Sequence, residues 1–504
     1  MMFDLFNPAF ASGNISTHPN QSSANNLRFR SILRTCCCVV LCAPLLWGTG
    51  IATAAGSLVA YIADQDTTAH RELYRVSSLG GANTKVNPTL ADGRNVDSVI
   101  VHPKGTSILY TSDQEVEGQR HLYIANLKTN TVVRLTPDFA SETALYRWEI
   151  DTRGTCVVYS IVHTVLGSVN LFRVDLKTGA VRPLNPPLPA GGSVYSFKID
   201  PKGRFVVYEA DQEIAGTTDL WLSEFKTGTV RKLVVPPGIS GGGFEKFDID
   251  PKGRVVFFTS EPQLSDLEEL YQLDLKTGAV IKLNGTLVGN EVSDFAIDSK
   301  GSSVVYMADQ DSTGTTELYR VILKTGVVTK LNAPLVADGD VRSFEIDRKI
   351  SMVVYRADQD VDGDVELYRT DLATGLVTKL NPPLVQDGDV RSFKISPAGT
   401  TVVYLADQEI DGINEIYRAN PGGNSATKLN SLLPFGAVII SDFLFEQKGA
   451  GVVFRADLTG DRNELFRVDV QTGVQTKLNG PIVEGGNGVI TFTVQGLTTP
   501  RNAE

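Results

Sequence analysis

The chain has 504 residues, 42% of them hydrophobic and 21% charged, with 47 Lys and Arg against 58 Asp and Glu for a formal net charge of −11. This is the composition of a globular chain able to bury a large core. An acidic balance lacks the cationic footprint that phosphate binding needs, so nucleic acid is excluded as an expected partner.

Residues 1–26 are rich in Asn, Ser and Pro without periodicity and are expected to hold no fixed structure. Arg28, Arg30 and Arg34 follow, then the apolar run CCCVVLCAPLLW, then small residues including Ala52-Thr53-Ala54. Basic, apolar, small is the order of a secretory signal with an A-x-A cleavage site. Residues 1–54 are therefore expected to be a lead and signal peptide, with 55–504 as the folded domain in the periplasm or outside the cell. The alternative is an uncleaved anchor, because residues 36–55 come close to the roughly 20 needed to cross a bilayer. Only then is a membrane an expected partner. Without the segment the charge is −13 (44 Lys and Arg against 57 Asp and Glu). Cys36, Cys37, Cys38 and Cys42 would leave with it, and Cys156 in TCVVY would remain alone as a packed thiol.

From Leu58 onward the chain repeats itself. Runs of the V-V-Y type end on Tyr61, Tyr110, Tyr159, Tyr208, Phe258, Tyr306, Tyr355, Tyr404 and Phe454, always 48, 49 or 50 residues apart. A fixed period of that size marks a solenoid, propeller or array. Each period holds four short runs rich in β-branched and aromatic residues, exemplified by VRSFEID, MVVYRAD, ELYRTDL and VTKLN, here named strands A, B, C and D. I-D-P-K-G turns join A to B and L-K-T-G turns join C to D, so the four strands form an antiparallel meander. Such meanders build the blades of an all-β propeller, whose double-sided burial explains why strand B is continuously apolar.

The first copy begins at its B strand, and the chain ends on an unpartnered A strand, VITFTV. One completes the other, closing a single ring. The count is nine blades, with eight as the alternative if one copy is displaced.

The run SFKISPAGTTVVYLADQEIDGINEIYR, residues 392–418, resembles the WD40-like repeat of the TolB family of periplasmic propellers. The resemblance covers the chain from about Leu58 onward and implies a fold, not a function. Here Ile or Val stands where that family often places an aromatic before S-P-x-G, so the family's role in envelope assembly is not carried over. No hydrolase domain is expected beside the ring, so peptidase activity is not carried over either.

In a meander the B–C and D–A connections share one face, and the A–B and C–D turns share the other. The first collects Asp and Glu. The second collects Lys177, Lys202, Lys226, Lys252, Lys276, Lys300 and Lys324. The B–C loop recurs as D-x-[DE]-x-x-G-x-x-[DE], and its fullest copies are Asp358, Asp360, Asp362 and Glu366, and Asp407, Glu409, Asp411 and Glu415. Alternating carboxylates on a Gly-turned loop suit calcium, which takes six to eight oxygen ligands. They resemble the D-x-D-x-D-G-x-x-D loops of integrin-type propellers. The competing reading is a turn in which the first Asp bonds the backbone and Gly supplies the bend.

His70, His121 and His163 fall in or beside the B–C loops of the first three blades and are expected to be surface residues away from the axis. No nucleophile with a neighbouring base is visible, and no catalytic residue is assigned. The expected function is a monomeric scaffold binding protein or glycan, with calcium in its loops. The alternative is a polysaccharide lyase or hydrolase at the channel mouth. An enzyme should break the repeat at inward positions of strand A, where Tyr146, Trp148, Glu245, Arg342 and Arg391 stand out.

Overall fold

The computed structural model describes residues 56–502 apart from 141, 236–238, 240–242, 262–266, 290, 421, 431–437, 458–461 and 497–500. The chain divides into two units, residues 1–53 and 54–504. The expected signal and its cleavage site lie outside the described residues. No helix among the described residues is long and apolar enough to cross a membrane.

The second unit is a nine-bladed β-propeller: nine separate antiparallel sheets, each ordered A-B-C-D. In blade 1 strand B (Leu58–Ala63) pairs with strand C (Glu72–Ser77) on one side and with Val489–Val494 on the other, placing Tyr61 opposite Phe492. The C-terminal strand thus closes the ring, and the eight-blade count is excluded. Blade 2 carries a fifth strand, because Arg501–Asn502 pairs with Val99 and Ser98 on the free edge of its strand A.

A strands of successive blades approach one another, as between Val390–Ile395 and Val438–Phe445, so A is the inner strand and borders the channel. D strands are short and largely uncovered, as at Val181–Pro183. B strands are sealed from both sides: every residue of Ser303–Ala308 and Val402–Ala406 is buried. The aromatic that ends each V-V-Y run stacks on the aromatic opposite it in strand C, with ring centroids 5.4 Å apart for Tyr355 and Tyr368. Among the described residues this stack recurs in eight blades; in blade 4 Trp221 faces Tyr208. A buried phenol needs a partner. Tyr61, Tyr110, Tyr208, Tyr306, Tyr355 and Tyr404 each donate to a Gln four residues on, which explains the repeated Gln of A-D-Q.

The A–B turn has its own lock. Asp347 accepts the N–H groups of Ser351 and Met352 at 2.6 and 2.8 Å, and Asp200, Asp250 and Asp298 hold the same turn in their blades. Gly203 and Gly253 take the left-handed position (φ 61°), but blade 7 places Ile350 there at φ 59°. A β-branched side chain is strained in that region. Ile350→Gly is therefore expected to raise stability by about 1 kcal/mol, read as a later denaturation midpoint at unchanged slope; an earlier midpoint would contradict the strain.

Candidate functional site: the acidic loops and the channel mouth

The first carboxylate of each acidic loop is turned inward. The Asp358 side chain is wholly buried and accepts Asp340 N–H at 2.6 Å and the Arg342 guanidinium at 2.9 Å. Asp407 repeats this with Asp389 N–H at 2.7 Å, Arg391 at 2.8 Å and Gly412 N–H at 3.1 Å. Asp113 binds Asn95 and Gly118 N–H, and Asp64 binds Asn487 and Gly488 N–H across the ring closure. This Asp ties the B–C loop to the D–A loop of its own blade. Burial alone would raise the Asp358 carboxyl, but the Asp340 N–H and Arg342 outweigh it and hold the group below the ordinary range.

Two further carboxylates of each loop face a lysine of strand D. Asp360 lies 3.4 Å from Lys379 Nζ, and Glu366, which also accepts the Tyr368 hydroxyl at 2.8 Å, is in closer contact with the same ammonium. Glu409 and Glu415 share Lys428, Asp311 and Glu317 share Lys330, and Glu213 and Asp219 share Lys232. The lysine reaches them because strand D pairs it directly with the strand C tyrosine, Lys379 opposite Tyr368. Asp362 and Asp411 stay exposed at the loop tips. As placed, the four carboxylates of a loop point to three different destinations. Among the described residues no group of three or more His, Cys, Asp or Glu is arranged to hold a metal ion. The signal that sequence reading passed over is the Lys of V-T-K-L-N, thirteen residues after Glu366.

At the channel mouth the position two residues before the strand A aromatic (Trp148, Phe197, Phe247, Phe344, Phe393) breaks the repeat. Tyr146 and Tyr195 hold it in blades 3 and 4, 65% and 50% exposed, and the Tyr195 hydroxyl donates to Asp211 at 3.2 Å. Glu245 holds it in blade 5 and is exposed. In blades 7 and 8 it is Arg342 and Arg391, each half-exposed and paired with two aspartates. Trp148 is buried away from the mouth, its indole donating to Ser98 at 3.1 Å.

Deeper along strand A, Arg147 pairs with Glu149 at 2.7 Å, Lys394 lies 3.7 Å from Glu345, and Lys246 contacts Asp294. Burial raises the Glu345 and Asp248 carboxyls, only partly offset by Lys394 and Lys198. The corresponding residues of blades 9, 1 and 2 are Leu444, Thr493 and Ile100. At the position of Glu345, strand A is charged in blades 3, 4, 5, 7 and 8 and uncharged in blades 6, 9, 1 and 2.

The histidines do not converge. His70 lies 3.8 Å from Asp92 and His163 3.9 Å from Glu142, whereas His121 is buried, bonded to Thr136 at 3.0 Å and stacked on Phe139. The expectation of surface histidines thus holds for two and fails for His121, because strand C begins there. Cys156 is buried in strand B, and its thiol is pushed up to about 11 chiefly by that burial, the opposite of what a nucleophile needs.

No family model matches the chain, and no curated protein matches it. Solved structures do. The chain is similar to a eukaryotic initiation factor at 11% identity and a TM-score of 0.57, covering 86% of this chain and 98% of that one. It also matches an oligogalacturonate lyase in complex with manganese (14% identity, TM-score 0.42, 73% and 98% covered) and a putative TolB from Agrobacterium tumefaciens (16%, 0.32, 51% and 86%). At these identities the likeness is one of fold alone. Propellers of TolB type are among the matches.

Proposed function

We propose that the protein is an exported propeller scaffold that binds a glycan or protein partner across the channel mouth. The observation that carries this is the pair of exposed tyrosines, Tyr146 and Tyr195, at equivalent positions of adjacent blades. Solvent-facing tyrosines on rigid strands give large amphipathic contact area at low entropy cost, and the bond to Asp211 pre-sets the second ring. Planar sugar faces suit such a platform, which makes glycan the favoured partner. A glycan array probed with the chain lacking residues 1–54 is expected to give ligands whose affinity falls at least about tenfold, 1.4 kcal/mol, in Tyr146→Ala plus Tyr195→Ala. Equal binding by that variant sinks the assignment. Export rests on the basic, apolar and small-residue order of residues 28–54, and sequencing the secreted N-terminus is expected to read from Ala55.

A second reading, a polysaccharide lyase or hydrolase, is favoured by Glu345 and Asp248, carboxyls raised by burial on inner strands, as proton-donating groups near neutral pH must be. Product release from neutral and acidic polysaccharides, abolished in Glu345→Gln, is its signature.

A further inference from the structure

On the face made by the A–B and C–D turns, an arginine closes the crevice between neighbouring blades at four places. Arg75 of blade 1 donates to Leu127 O at 3.5 Å, Arg231 of blade 4 to Leu275 O at 3.0 Å and Arg418 of blade 8 to Val470 O at 2.8 Å. Arg182 of blade 3 donates likewise to Phe225 O. The acceptor is the same each time: the carbonyl just after strand C in the next blade. The donor comes from strand C or from the strand D residue paired with it.

Blades 2 and 5 have an arginine at neither position; blade 5 keeps the polar Gln272 opposite Ile281, whereas blade 2 is apolar at both. The two positions of blade 2 are Ile124 and Val133, which face each other in register. The carbonyl they would have to reach belongs to Leu176, and in place of a guanidinium there is a cleft of about 600 Å³ lined by Ile124, Val133, Leu176, His102, Lys104 and Lys177. That volume is in the range of small-molecule sites.

Among the side chains lining the cleft, the cations Lys104 and Lys177 stand against the single carboxylate of Asp175. Blades 3 to 7 hold an Asp at the A–B turn (Asp151, Asp200, Asp250, Asp298, Asp347), whereas blade 2 holds His102. Its Nδ1 accepts Lys104 N–H at 3.1 Å, so its Nε2 donates to Gly154 O at 2.9 Å, joining blades 2 and 3 without a carboxylate. Asp175, also on the wall, is occupied by Lys177 N–H, both donors of Thr178 and Arg173 at 3.0 Å. Lys104 and Lys177 are exposed at the rim.

We propose that this cleft binds a small aromatic carboxylate or sulfonate, its ring against Ile124, Val133 and Leu176 and its acid group between the two lysines. An apolar floor with two cations at the rim selects a compact amphipathic anion over a neutral or cationic molecule. The site is separate from the channel mouth.

The test uses the chain lacking residues 1–54 and the fluorescence of 8-anilinonaphthalene-1-sulfonate, with 2-naphthoate as competitor. Saturable binding displaced by 2-naphthoate is expected. Ile124→Arg, which restores the repeat's own arginine, should reduce it at least about tenfold while the melting temperature holds or rises. Lys104→Glu plus Lys177→Glu should weaken it to a similar degree. Should Ile124→Arg fold poorly, Val133→Arg fills the same space. Binding that none of these variants alters, or that 2-naphthoate does not displace, overturns the proposal, as does absence of binding.

Discussion

Ending the chain after Gly488 is expected to unfold the ring, not shorten it. The lost strand carries Val489, Phe492 and Val494, all buried against Val59, Tyr61 and blade 9. Each such side chain contributes about 1.5–3 kcal/mol by leaving water, so their joint loss approaches the 5–15 kcal/mol that a folded chain commonly has in hand. The cut also bares the edge of strand B in blade 1, a fully apolar template for association. Size-exclusion chromatography should show aggregation, and the melt should lose its cooperative step. Phe492→Ala, which keeps the strand, should cost about 3–5 kcal/mol and remain monomeric. A truncated chain that melts cooperatively within a few degrees of the intact one would show that blade 1 closes without its borrowed strand.

The architecture was legible because it is written nine times. The period located every B strand, the turn residues gave the meander, and the split between LVAYIA at one end and VITFTV at the other gave the closure. The fifth strand of blade 2 was not legible, since Arg501–Asn502 has no strand pattern and pairs through its backbone. The lysine partners of the acidic loops were not legible for a different reason. Spacing alone reveals which carboxylates share a loop, but not the cation facing them from another strand. Lys379 is thirteen residues from Glu366 and becomes its partner only because strands C and D fold back on each other. Likewise Ile124 and Val133 were two ordinary strand residues until the arginines of other blades showed what was missing between them.

Asp358→Ala is expected to destabilise the fold by about 2–4 kcal/mol, because it strands the Asp340 N–H and removes the buried partner of Arg342. Asp360→Ala, two residues on, should cost under about 1 kcal/mol, since Asp360 is half-exposed and its lysine keeps Glu366. The pH dependence has a definite sign. The Asp358 carboxyl is held below its ordinary value in the folded chain, so its contribution is present above the unfolded value of about 3.9 and is lost as pH falls through the folded one. The stability of Asp358→Ala should therefore change less than that of the parent through this acid range. A calcium loop makes the opposite prediction. There Asp358, Asp360 and Asp362 would act together, and calcium would raise the melting temperature of the parent chain but not of Asp360→Ala plus Asp362→Ala. With Lys379 already between Asp360 and Glu366, calcium is expected to leave the parent unchanged; a calcium-dependent rise lost in the double variant would hand these loops back to the metal.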